Sequence, residues 1–102
     1  MIIYNVTVNV DETIAKEWLS WMQGTHIPDV MNTGIFLKSQ INRVIAKDDT
    51  GITFAIAYTC PSMKDLHQYQ INFATKLQQQ HVARYGDKAV AFRTLMEVIQ
   101  EY

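Results

Sequence analysis

Three histidines, two tryptophans and one cysteine are the side chains of this 102-residue sequence with the widest chemical range. An imidazole exchanges a proton near neutral pH or ligates a metal, and an indole walls a pocket while donating one hydrogen bond. His26 follows Trp18 and Trp21 in the stretch WLSWMQGTHIPDVMNTG, residues 18–34, where a predicted helix gives way to a predicted strand. Any binding site should touch this stretch. His26 lies just past a helix end, so its ring either caps that end or faces a pocket. Trp18 falls in the helix's apolar stripe and belongs to the core. Trp21 lies about 100° from the centre of that stripe and is the tryptophan placed to line a cavity or an interface.

Other candidates are scattered. Arg43 sits on an otherwise apolar strand face, where a guanidinium needs an acidic partner, an anionic ligand or a place at the sheet's rim, and a rim salt bridge is the favoured reading. His81 and Gln70 punctuate the apolar stripe of a second helix, where they form either a hydrogen-bonded core pair or part of a ligand site. A cavity walled by Trp21, His26 and Tyr58 would favour ligand binding; a filled core beneath an exposed apolar helix flank would favour a protein partner. His26, His67 and His81 lack metal-ligand spacing along one helix face, and no metal site is expected. No phosphate loop, nucleophile elbow or paired-histidine zinc motif occurs, so catalytic residues stay unassigned and an enzymatic role undecided. Cys60, alone in the sequence, can form no internal disulfide and reads as a small hydrophobe at a strand end.

Composition narrows the classes. The length suits a single domain over residues 1–102. A net charge of -1 offers no basic field for nucleic acid, and a charged fraction of 19% beside 48% hydrophobic residues describes a folding chain rather than a disordered one. No apolar run approaches the roughly 20 residues that span a bilayer, and the opening MIIYNVTVNV alternates like a strand instead of resembling an export signal. A cytoplasmic protein is expected.

These residues must be positioned by six elements. Residues 2–10 alternate as a strand with Ile2, Tyr4, Val6, Val8 and Val10 facing the core. A helix capped by Asp11 should follow and stop near Gly24, with Pro28 turning Ile27 away from helical dihedrals. Strands are predicted over residues 35–46 and 52–60, joined by a hairpin at Asp48-Asp49-Thr50-Gly51. Ser62 and Asp65 announce a second helix reaching Tyr85, with Met63, Leu66, Tyr69, Phe73, Leu77 and Arg84 on one side. A last strand runs from Ala89 to Ile99.

Strand, helix, strand, strand, helix, strand is the ferredoxin-like split βαβ order, an α+β fold with both helices on one face of a four-stranded antiparallel sheet. The other face is expected to carry Asn5, Thr7, Thr53, Ala55, Ala57, Arg93, Leu95 and Glu97. Its small, neutral middle suits packing against a second copy of the chain as a homodimer.

The string from His26-Ile27-Pro28 to Gly34, after a tryptophan-rich first helix, resembles the dimeric α+β barrel superfamily. The opening strand and the W-x2-W-M-x3-HIP-x-VM-x-TG-x-F arrangement are similar to a bacterial family annotated only as a domain of unknown function. The resemblance implies fold and dimerisation and no defined activity. A homodimer binding a small molecule between helices and sheet is therefore the leading expectation, without a cofactor. A small monooxygenase or haem-degrading enzyme is the alternative, since some superfamily relatives degrade haem with a late histidine in the second helix, an asparagine on the first strand and a nearby tryptophan. His81 and Asn5 answer to the first two, whereas the second helix offers Tyr69 and Phe73 in place of the tryptophan. A protein-interaction module is the third reading.

Overall fold

The computed structural model describes residues 1–46 and 50–102. Four strands, β1 (Ile2–Val10), β2 (Lys38–Arg43), β3 (Ile52–Cys60) and β4 (Ala89–Glu97), form one antiparallel sheet in the order β2-β3-β1-β4. This is the ferredoxin-like architecture that the element order predicts. The expected hairpin residues Asp48 and Asp49 lie outside the described residues. Beside them Gly51 has φ +82°, and a Cβ there would come within 2.6 Å of the Val10 carbonyl oxygen, so glycine is the residue this close approach permits.

Two helical arms cover one face of the sheet. The first comprises α1 (Ala15–Trp21), a π-helical turn (Met22–His26) and α2 (Ile27–Met31). It starts later than expected because Asp11 uses its side chain in a preceding turn, accepting from the Thr13 amide at 2.8 Å and hydroxyl at 2.6 Å. Nor does it stop at Gly24. The amide of Ile27 bonds back to the Met22 carbonyl, five residues away, and Ile27 keeps helical dihedrals of -62° and -45°. A proline in a regular helix strikes the carbonyl four residues earlier, here that of Gly24. The wider turn relieves that contact, so the chain passes Pro28 without breaking.

The second arm comprises α3 (Met63–Tyr69), a π-helical turn (Gln70–Ala74) and α4 (Thr75–Tyr85). Ser62 caps it as predicted, accepting from the Asp65 amide at 3.3 Å. The π turn inserts one residue and shifts the buried stripe from a regular 3.6 period to Leu66, Tyr69, Ala74, Leu77, His81 and Tyr85. Phe73, expected inside, is consequently exposed; Met63, also expected inside, is exposed at the first position of α3, and so is Gln70. A buried Gln70–His81 pair therefore does not form.

β2 is shorter than expected. Residues 35–37 precede it, so Phe36 turns into the core and Leu37 outward. The core lies between arms and sheet, with Trp18, Ile56 and Leu66 fully buried. Cys60 is a buried free thiol at the end of β3, where burial raises its pKa. Among the described residues no helix is long and apolar enough to cross a membrane.

The register of β4 corrects one expectation directly. Arg93 lies opposite Val6, Leu95 opposite Tyr4 and Glu97 opposite Ile2, which places all three on the helix-covered side. Val90, Phe92, Thr94 and Met96 occupy the open face with Asn5, Thr7, Ala55 and Ala57. The open face is thus more apolar than the sequence suggested.

Candidate functional site

Two aromatic clusters meet between arms and sheet. Tyr4, Phe36, Tyr58 and Tyr69 form the first, with centroid separations from 4.9 Å for Phe36–Tyr69 to 6.1 Å for Tyr4–Phe36. Both strands and the second arm contribute, because alternation on β1 and β3 sets Tyr4 opposite Tyr58. The second cluster joins the arms: Trp21 packs on His26 at 5.1 Å and on Tyr85 at 5.4 Å, and the His26 and His81 rings are 5.9 Å apart.

One hydrogen bond fixes the second cluster. The Trp18 indole N–H donates to His81 Nε2 at 2.9 Å, tying α1 to α4 inside the core. An Nε2 that accepts places the His81 proton on Nδ1. Burial and then the charge of Arg93 lower the His81 pKa, so this imidazole is neutral at pH 7. Its neighbour His26 is pushed down to about 4, first by burial and next by His81, with Asp29 opposing the shift. His26 is therefore neutral too. Its Nδ1 is buried and has no hydrogen-bond partner among the described residues, the one such side-chain atom found there.

Where the clusters meet lies a partly open cavity of about 30 Å³. His26, Tyr58 and His81 line it, together with Tyr4, Tyr69, Gln78 and Arg93 and an apolar floor that includes Val8 and Ile56. Arg93 reaches it from β4, its Nε donating to the Tyr4 hydroxyl at 2.9 Å. The hydroxyls of Tyr58 and Tyr69 keep their protons far above neutral pH, because burial disfavours the phenolate.

Of the five residues singled out in the sequence, His26, Tyr58 and His81 share this cavity. Trp21 stands just behind it, stacked on His26, under the Arg84 guanidinium 5.4 Å from its ring. Arg84 is held by Glu17 at 2.6 Å across the arms, and so braces the cluster from outside. Arg43 is exposed on the edge strand β2, away from the cavity. Sequence reasoning missed Arg93, Tyr4 and Tyr69 as pocket residues. The alternation of β1 carried the signal for Tyr4, and a register assignment for β4 would have carried it for Arg93.

The arrangement offers neutral imidazoles, phenolic donors and one guanidinium around an apolar floor. No group of three or more potential metal ligands occurs among the described residues. Haem does not fit the residues as arranged. His81 Nε2 is occupied by Trp18, Asn5 lies on the opposite face of the sheet bonded to Thr7, and the enclosed volume is far below the roughly 300–1,000 Å³ of pockets that take larger ligands.

A family model described as a domain of unknown function (DUF4286) matches residues 1–99. No curated protein matches the chain in sequence. Among solved structures, a dimeric ferredoxin-like protein from an uncultured marine organism is 13% identical with a TM-score of 0.79, the match covering 99% of this chain and 97% of that one. HapK from Hahella chejuensis is 10% identical with a TM-score of 0.73, over 100% and 97% of the two chains. A variant of MhuD, solved with two manganese protoporphyrin IX molecules bound per active site, is 15% identical with a TM-score of 0.71, over 100% and 98%. Identities this low establish the shared fold and leave activity to be argued from the site.

Proposed function

Since the chain belongs to the DUF4286 family, whose description names no activity, we propose its function from the geometry: a homodimer in which each protomer binds a small molecule in the cavity between arms and sheet. One observation carries this reading. A buried imidazole nitrogen with no protein partner costs stability, and His26 Nδ1 is held in that state at the edge of a cavity lined by further polar groups. Burial without a bond is tolerable where a ligand completes the set. The widened turn at Met22–His26 sets His26 at this edge, and π turns recur at functional sites.

The homodimer reading rests on the open face. Val90, Phe92 and Met96 are 60%, 63% and 42% exposed there, around the small side chains of Ala55 and Ala57. A sheet face this apolar is stabilised by covering it, and a second copy related by a two-fold axis covers both faces at once. The marine neighbour is itself described as dimeric.

Native mass spectrometry of the protein purified without dialysis from its own host reads both parts. The expected result is twice the chain mass plus one small, constant increment per protomer, released on denaturation. Phe92→Glu should place like charges in the interface and give the monomer mass. A bare wild-type monomer would overturn both halves of the reading.

A further inference from the structure

The ligand class follows from the charge at the cavity mouth, an inference that rests on reading this cavity as the ligand site. Among the described residues Arg93 hydrogen-bonds only through its Nε, to the Tyr4 hydroxyl. The ion pair found among the described residues joins Arg84 to Glu17, and none of the described carboxylates lines the cavity. Asp29 acts on His26 electrostatically, but it does not line the cavity either. Arg93 is thus the one cation among the described lining residues, exposed at the mouth with terminal nitrogens that no described residue occupies.

Two further features restrict what meets that charge. The Tyr58 and Tyr69 hydroxyls line the cavity with no hydrogen-bond partner among the described residues, so both are free to donate. Tyr4 packs against both, its ring 5.7 Å from that of Tyr69 and 6.0 Å from that of Tyr58 at tilts of 54° and 32°, so no slot for a further ring separates them. A guanidinium fork matches a carboxylate through two parallel hydrogen bonds, and a single guanidinium balances a single negative charge.

We propose that the cavity binds a small monocarboxylate, its carboxylate on Arg93 and the tyrosine hydroxyls and its apolar part beside His26. The narrow interior, about 30 Å³, takes only one end of the ligand, and the remainder lies in the open mouth.

Benzoate and its neutral isostere benzamide separate the charge from the shape. Titrated into the full-length protein labelled with 15N-histidine, benzoate should shift the His26 and His81 ring signals, with an affinity at least tenfold above that of benzamide. Arg93→Gln should reduce the difference to less than about threefold by weakening benzoate alone. The wild-type ratio decides the matter even if the variant fails to fold. Equal binding of the two probes would overturn the carboxylate assignment and leave the cavity standing as a ligand site. Absence of ring shifts with either probe would overturn the carboxylate assignment, and a retained ligand on the host-purified protein would still distinguish that outcome from failure of the cavity itself.

Discussion

Replacing Trp18 with alanine should lower the unfolding free energy by about 3–5 kcal/mol, the usual cost of truncating a fully buried indole. Trp18 is inaccessible to solvent, packs on Phe54 at 4.9 Å and donates to His81. The loss therefore combines transfer, cavity and hydrogen-bond contributions. Trp18→Phe separates them, because phenylalanine keeps most of the packing while leaving His81 Nε2 buried and unpaired, at a cost of about 1–3 kcal/mol. Chemical denaturation of the two variants beside wild type checks both figures. Against the roughly 5–15 kcal/mol that holds a domain of this size together, the alanine variant is left marginal.

Acidification from pH 6.5 to pH 4 should remove about 3 kcal/mol through His26 alone, with His81 adding in the same direction. The folded-state pKa of His26 is about 4, against an ordinary value of 6.5, and that of His81 is lowered likewise. Between those two pH values the unfolded chain binds a proton that the folded chain refuses, so stability rises with pH across the window and falls as pH is lowered. From about pH 7.5 upward both states carry neutral imidazole at these two positions and their contribution is flat. The carboxylates whose pKa is lowered, Asp11 and Glu17, are exposed; their contribution fades in the same direction from their ordinary values of 3.8 and 4.5 downward, and so overlaps only the acid end of the histidine window. Urea titrations at half-unit pH intervals would register the slope, and a flat profile from pH 6.5 to pH 4 would show that the two rings are not buried neutral.

Much of the architecture was legible because alternation and helical period report burial directly. Tyr4 and Tyr58 fell on the correct faces for that reason, and Ser62 and Asp65 marked the second arm through the chemistry of its cap. The failures share a physical origin. On β4 the open-face residues Val90, Phe92 and Met96 are more apolar than Ala89, Ala91, Arg93 and Glu97, so hydrophobicity pointed to the wrong side. Pairing with β1 decides the side, and that register is not encoded locally. Arg93 was lost from the site with it. In the second arm a single inserted residue at the π turn exchanged Phe73 for Ala74, which no fixed period anticipates. Gly24 and Pro28 promised a helix end because each disfavours a regular helix, and the wider turn accommodates both. As for the site, the kinds of chemistry were visible in His26 and His81, but they lie 55 positions apart and only the packing of the arms brings their rings together.

The central claim is that His26 is kept for a ligand at the expense of the fold, and the stability of His26→Phe at pH 8 tests it most directly. Phenylalanine keeps a ring against Trp21, the cavity takes its extra volume, and the unpaired Nδ1 disappears. The account predicts a urea midpoint equal to or above that of wild type with an unchanged slope, since the substitution removes an unsatisfied buried polar atom. A loss of more than about 1 kcal/mol would contradict it, because His26 would then be making a structural hydrogen bond of ordinary strength.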